Sequence, residues 1–106
     1  MDDTCLVYNR KGTFWTDKGN LVGLSMKLWH LPHIKAKEFP EGYKLSWIAF
    51  NLATENERIL FDNHWGKPPH YHDNDKEKFL EWISLEHTEK LFYQMAYKKF
   101  GYFNYE

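Results

Sequence analysis

Val22, Leu24, Met26 and Leu28 alternate with Gly23, Ser25, Lys27 and Trp29, a period of two that places four apolar side chains on one face of an extended segment. The segment reads as a half-buried strand. Upstream, Thr13-Phe14-Trp15 reads as its partner, and Asp17-Lys18-Gly19-Asn20 supplies the turn residues of a hairpin within residues 1–31. Residues 32–42 contain Pro32, Pro40 and several charges without a sustained period, and read as a connection. Tyr43 to Asn51 and Arg58 to Asn63 are rich in aromatic and branched residues and flank the polar Thr54-Glu55-Asn56-Glu57. They predict a second hairpin, which with the histidine-rich loop after it spans 43–77. Phe79, Glu81 and Ile83 alternate with Leu80 and Trp82, so Lys78 to Ile83 fits a short fifth strand or a helical turn equally.

A helix over 84–100 is signposted at both ends. Ser84 is a suitable N-cap, Glu86 lies in the first turn, Lys98 and Lys99 lie in the last, and Gly101 follows. Leu85, Thr88, Leu91, Phe92, Met95, Ala96 and Lys99 keep a three-four spacing, so most of them should cover a sheet. The expected fold is α+β: a small, meander-like antiparallel sheet of four to five strands, with the C-terminal helix packed on one face. At 106 residues the chain, 1–106, is expected to be one domain with one core. Aromatic residues make up 19% of it, which argues against disorder and supplies bulk for that core.

A formal charge of -1 provides no global field toward nucleic acid or anionic membranes, so any nucleic-acid site must be local. The single cysteine, Cys5, excludes an intramolecular disulfide and fits a reducing compartment. No apolar run approaches the roughly 20 residues of a membrane span, and the start Met1-Asp2-Asp3 lacks the basic flank of a signal peptide. The expectation is a soluble, cytoplasmic protein with no membrane partner.

Chemistry concentrates in Phe61-Asp62-Asn63-His64-Trp65-Gly66-Lys67-Pro68-Pro69-His70-Tyr71-His72, which holds three of the six histidines. Imidazoles beside a lysine suit proton transfer, phosphate contact or metal ligation. A metal-independent ribonuclease needs a base for the ribose 2′-hydroxyl, an acid for the leaving oxygen and a cation for the phosphorane. His70 and His72 would share one face of an extended stretch and form the acid–base pair, with Tyr71 pointing away. Lys67 would neutralise phosphate charge, Gly66 would admit close backbone approach, Asp62 or Asn63 would orient a histidine, and His64 is a reserve base. Trp65 is the one tryptophan placed to stack a base.

Two other readings of these residues stand beside this one. His-x-His with Asp62, His64 or Asp73 could bind a divalent metal, and the segment could be a purely structural loop. No metal or other cofactor is assigned. His30 belongs to the apolar face of the long strand, while His33 and His87 read as surface residues. Lys27, Lys35, Lys37 and Lys44 could line an RNA path, but Glu38 and Glu41 interleave with them in sequence. The tail Tyr102-Phe103-Asn104-Tyr105-Glu106 would fold back on the sheet or meet a partner.

The order Asp62-Asn63, Gly66-Lys67, His70-x-His72 resembles the strand-loop of the TumE-like toxin family of type II toxin–antitoxin systems. Trp29-x-Leu31-Pro32, Tyr43-Lys44-Leu45 and Ile83-Ser84-x-Glu86 followed by Leu91-Phe92 are similar to that family's flanking landmarks, and the similarity covers roughly residues 21–97. Pro68-Pro69 replaces a stretch often glycine or acidic in the family, and the first twenty residues have no clear counterpart. The resemblance implies a toxin that acts on RNA and is neutralised by a cognate protein antitoxin. The alternative, of a different class, is a non-catalytic interaction module whose histidine cluster binds phosphate or a divalent metal. An exposed sheet edge would also permit a homodimer.

Overall fold

The alternation at 22–28 becomes the second strand of a six-stranded antiparallel sheet in the computed structural model, which describes residues 4–105. The acidic start Met1-Asp2-Asp3 and the final Glu106 lie outside the described residues. In chain order the elements are β1 (Cys5–Trp15), β2 (Leu21–His30), β3 (Tyr43–Asn51), β4 (Thr54–His64), β5 (Lys67–Asp73), β6 (Lys76–Phe79) and α1 (Leu85–Phe100), with a 3-10 turn at Pro40–Gly42 before β3. Strand order in the sheet equals sequence order, a continuous meander with β1 and β6 at the edges.

Six strands replace the four to five expected: the histidine-rich stretch supplies the added strand, and the bounds of two others move. The polar Thr54-Glu55-Asn56-Glu57 is not a turn but the start of β4, because Leu52-Ala53 alone reverses the chain and Asn51 pairs with Thr54. The histidine-rich stretch is not a loop: Lys67–Asp73 is strand β5, joined to β4 by Trp65-Gly66. The last strand is β6 at Lys76–Phe79 rather than 78–83, since the Asn74-Asp75 reversal follows β5 at once and Asn74 adopts a positive φ of 55°.

The helix runs as its end signals require. Ser84 Oγ accepts from the His87 backbone N–H, and Gly101, at φ 102°, closes the C-terminus by donating to the Tyr97 carbonyl. Thr88, Phe92, Tyr93, Ala96 and Phe100 are its buried residues, so Tyr93 and Phe100 join the expected stripe while Leu85, Leu91, Met95 and Lys99 sit at its margins. The core is aromatic at its centre. Phe92 meets Trp47 and Phe61 edge-on at ring separations of 5.6 and 5.2 Å, and Trp47 stacks on Phe61. Val22, Leu24, Met26 and Leu28, the alternating set, are all buried in this core. The aromatic tail folds back: Phe103 is buried against Phe14, and Tyr105 stacks on Tyr93 at 4.2 Å.

α1 covers one face of the sheet, and among the described residues no helix or strand covers the other. Paired positions alternate between the two faces, so Lys11, Lys27, Lys44 and Arg58 fall on the uncovered side. None of the described helices is long and apolar enough to cross a membrane.

Candidate functional site

The β4–β5 pairing contains a one-residue slip that builds the site. His64 pairs with Lys67 and Asp62 pairs with His70, so three steps along β5 oppose two along β4, and the extra residue falls at Pro68-Pro69. Neither proline can donate to a ladder, which is why an irregular point in an interior strand accommodates them. The slip also changes side-chain parity. Lys67 and His70 are an odd number of residues apart and would face opposite sides of a regular strand, but the bulge brings both to the uncovered face with Asp62, His64 and His72.

Opposite the bulge, Asn63 is fully buried and its amide is committed to backbone. Its Oδ1 accepts from the Leu45 N–H at 2.8 Å, and its Nδ2 donates to the carbonyls of Glu38 and Tyr43 at 2.7 and 2.9 Å. Asn63 therefore fixes the start of β3 and the loop before it, and has no group left to hold substrate or a histidine. Gly66 at φ 82° makes the turn, but its N–H donates to the Glu38 carboxylate at 3.1 Å, so backbone approach there is already occupied. Glu38 and Glu41 do not interleave with the lysines of the sheet face: Glu41 instead accepts from the Trp82 indole at 2.9 Å.

On the uncovered face the side chains converge on a residue that the sequence reading did not single out. Glu77 of β6 pairs with His72 of β5, and its Oε1 contacts the Lys67 ammonium. The same oxygen lies 3.3 Å from His72 Nε2 and 3.7 Å from His70 Nε2. The hydrogen bond from Lys67 holds the Glu77 carboxyl below its ordinary range, with the positive fields of Lys67, His70 and His72 acting in the same direction and desolvation opposing them. Glu77 is thus an anion at neutral pH. Reading Asn74-Asp75 as a two-residue hairpin turn would have found it, because that turn places position 77 opposite 72.

The two histidines differ in access. His70 has a side-chain exposure of 3% and its Nδ1 lies 3.0 Å from the Pro68 carbonyl, which accepts only, so Nδ1 carries a proton and Nε2 points toward Glu77. His72 is more open at 24%, with its ring 5.2 Å from that of His70. A separation this short leaves no room for a phosphate between the rings, so they do not straddle a scissile group as an opposed acid–base pair. His64 sits at the turn, its ring 6.1 Å from His70 and its Nδ1 3.0 Å from the Trp65 carbonyl. Asp62 lies beside His70 in register.

Phe79, exposed, lies 6.4 Å from the His70 ring, and Trp65, exposed in the β4–β5 turn next to His64, is held edge-on by Phe39. Among the paired positions of the uncovered face, Lys11, Lys27, Lys44, Arg58 and Lys67 are opposed only by the acids Asp62 and Glu77. A chain with a formal charge of -1 therefore carries its local basic surface on the face that bears the histidines. No family model, curated protein or solved structure matches this chain.

Proposed function

We propose that this protein is the toxin of a type II toxin–antitoxin pair and acts on RNA as a metal-independent endoribonuclease, with the Glu77-centred cluster as its reaction centre. The observation that carries the reading is the meeting of Lys67, His70 and His72 on one carboxylate, on the basic and uncovered face of the sheet. Cations there would track the backbone of a single strand, and Trp65 and Phe79 offer exposed rings on which bases can stack.

In this reading His72 is the base. Glu77 accepts from its Nε2–H, which fixes the tautomer and leaves Nδ1 to take the proton of a ribose 2′-hydroxyl. The freed O2′ attacks phosphorus and the P–O5′ bond breaks, leaving a 2′,3′-cyclic phosphate. The Lys67 ammonium neutralises the phosphorane and passes a proton to the departing O5′. His70, buried and tied to the Pro68 carbonyl, is a positioning residue that walls the cluster from beneath. Trp65 remains a substrate-binding residue here, with Asp62 beside the cluster and His64 as a reserve proton carrier.

A cognate antitoxin would pair with the edge strand β1, where Leu6, Val7 and Trp15 are exposed, or cover the cluster itself. The cytoplasm, where RNA and a free Cys5 thiol coexist, is the compartment this role requires. The test is cleavage of total cellular RNA by purified protein, with and without EDTA, beside His72→Ala. Cleavage that survives EDTA, yields cyclic phosphate ends and falls by at least about a hundredfold in the variant supports the reading. Intact RNA with folded wild-type protein refutes it and favours a non-catalytic interaction module.

A further inference from the structure

His70 Nε2 faces the Glu77 carboxylate at 3.7 Å, too far for a direct hydrogen bond. With Nδ1 engaged by the Pro68 carbonyl, His70 leaves Nε2 as its one free ring nitrogen, aimed at a carboxylate oxygen of Glu77. The imidazole is almost wholly buried, so water does not separate them freely. A cation held between the two would be bound by both. The Lys67 ammonium contacts Glu77 from the side, but no hydrogen bond joins it to His70 among the described contacts.

We propose that His70 Nε2, His72 Nε2 and a Glu77 carboxylate oxygen form a three-ligand site for a divalent transition-metal ion of the Zn2+ class, an ion that exchanges with the Lys67 ammonium for the carboxylate. The three ligand atoms lie within 4.8 Å of one another. A tetrahedral ion with bonds of about 2.0–2.1 Å needs its ligand atoms about 3.4 Å apart. The His72–Glu77 edge, at 3.3 Å, and the His70–Glu77 edge, at 3.7 Å, already meet that requirement. The remaining edge, at most 4.8 Å, closes by rotation of the His72 ring, whose side chain is 24% exposed.

The chemistry of the donor set selects the ion. Two imidazoles and one carboxylate suit Zn2+, Co2+ or Ni2+, whereas Mg2+ and Ca2+ prefer all-oxygen shells. The bond from His70 Nδ1 to the Pro68 carbonyl supplies the outer support typical of a metal-bound histidine, because it fixes both ring orientation and tautomer. The proline bulge turns the Pro68 carbonyl toward His70, and the Asn74-Asp75 turn sets β6 so that Glu77 pairs with His72. Lys67, one-third exposed, swings to solvent when the ion enters.

Binding does not depend on ribonuclease activity and is tested without it. Apo-protein prepared with a chelator is titrated with Co2+, reading the visible d–d bands that report tetrahedral nitrogen and oxygen ligation, and Zn2+ is then added in competition. One equivalent should bind per chain. His72→Ala and Glu77→Gln, both at accessible positions that leave the core intact, should each weaken binding by more than about a hundredfold, since lost outer-shell partners alone cost 10–100-fold. Lys67→Met should tighten it by up to about fivefold, the value of an exposed ion pair. Absence of a Co2+ spectrum in folded wild-type protein overturns the proposal. Binding unchanged by His72→Ala and Glu77→Gln also overturns it, because the ion then sits on other histidines.

Discussion

Asn63→Ala is expected to be among the most damaging single substitutions outside the apolar core. The amide makes three hydrogen bonds to backbone at 2.7–2.9 Å from a fully buried position, and alanine would orphan the Leu45 N–H and the Glu38 and Tyr43 carbonyls together. A buried polar group left unsatisfied costs about 1–3 kcal/mol. Partial hydration of the two carbonyls from the loop side lowers the sum, so the expected loss is about 3–5 kcal/mol, a large share of the ~5–15 kcal/mol typical of a domain. Urea unfolding followed by tryptophan fluorescence reads it directly: at a slope of about 1.5 kcal/mol/M the midpoint falls by about 2–3 M. A loss below about 1 kcal/mol would refute the reasoning, since it would mean that the strand start and the loop hold without this amide. Asn63→Asp makes a second check, because it keeps the acceptor for Leu45 but sets a carboxylate against two carbonyls and should be no better tolerated.

Ser84→Ala removes the acceptor for the His87 N–H and should cost about 1 kcal/mol in the same unfolding assay, with the helix retained. At high pH, burial pushes the Tyr93 phenol up to about 12 against the opposing pull of Arg10, and burial with the Glu89 carboxylate raises Tyr8 further. Unfolded tyrosines ionise near ~10, so the stability these two contribute is complete below that pH and is lost as pH rises toward and through the folded value. Phenolate absorbance should therefore show Tyr8 and Tyr93, each identified by its Phe variant, ionising only with unfolding, and ionisation of either near ~10 in the folded protein would contradict the burial argument. If His72 is the base, Zn2+ at its Nε2 must suppress RNA cleavage and EDTA must restore it. Stimulation by Zn2+ would remove the metal-free mechanism while leaving the metal site standing.

The parts of this fold that sequence reveals are those governed by local rules. The strand at Val22–Leu28, the turn at Asp17–Asn20 and the helix with its Ser84 and Gly101 ends each follow from period, turn chemistry or capping within a few residues. What sequence conceals depends on pairing. Pro68-Pro69 reads as a loop because proline breaks ladders, and only the register shows a bulge that keeps β5 in the sheet. That same slip decides that Lys67 shares a face with His70, against the alternation of an ideal strand. Asn63 sits in the richest motif of the chain and yet serves the backbone, while Glu77 sits in an unremarked polar run and becomes its centre. His30, by contrast, lies where its strand pattern places it, its ring 5.0 Å from Tyr43 and its Nε2 bonded to the Glu41 carbonyl.

The measurement that bears most directly on the account is RNA cleavage by Glu77→Gln in the presence of EDTA, beside wild-type protein of equal fold by circular dichroism. Glutamine keeps the size of the side chain but gives up the charge that orients His72 and holds Lys67. The account predicts a fall of at least about tenfold, with the pattern of cut sites unchanged because the stacking rings and the basic face are untouched. Cleavage at the wild-type rate would contradict it, since the carboxylate on which the cluster converges would then have no part in the reaction.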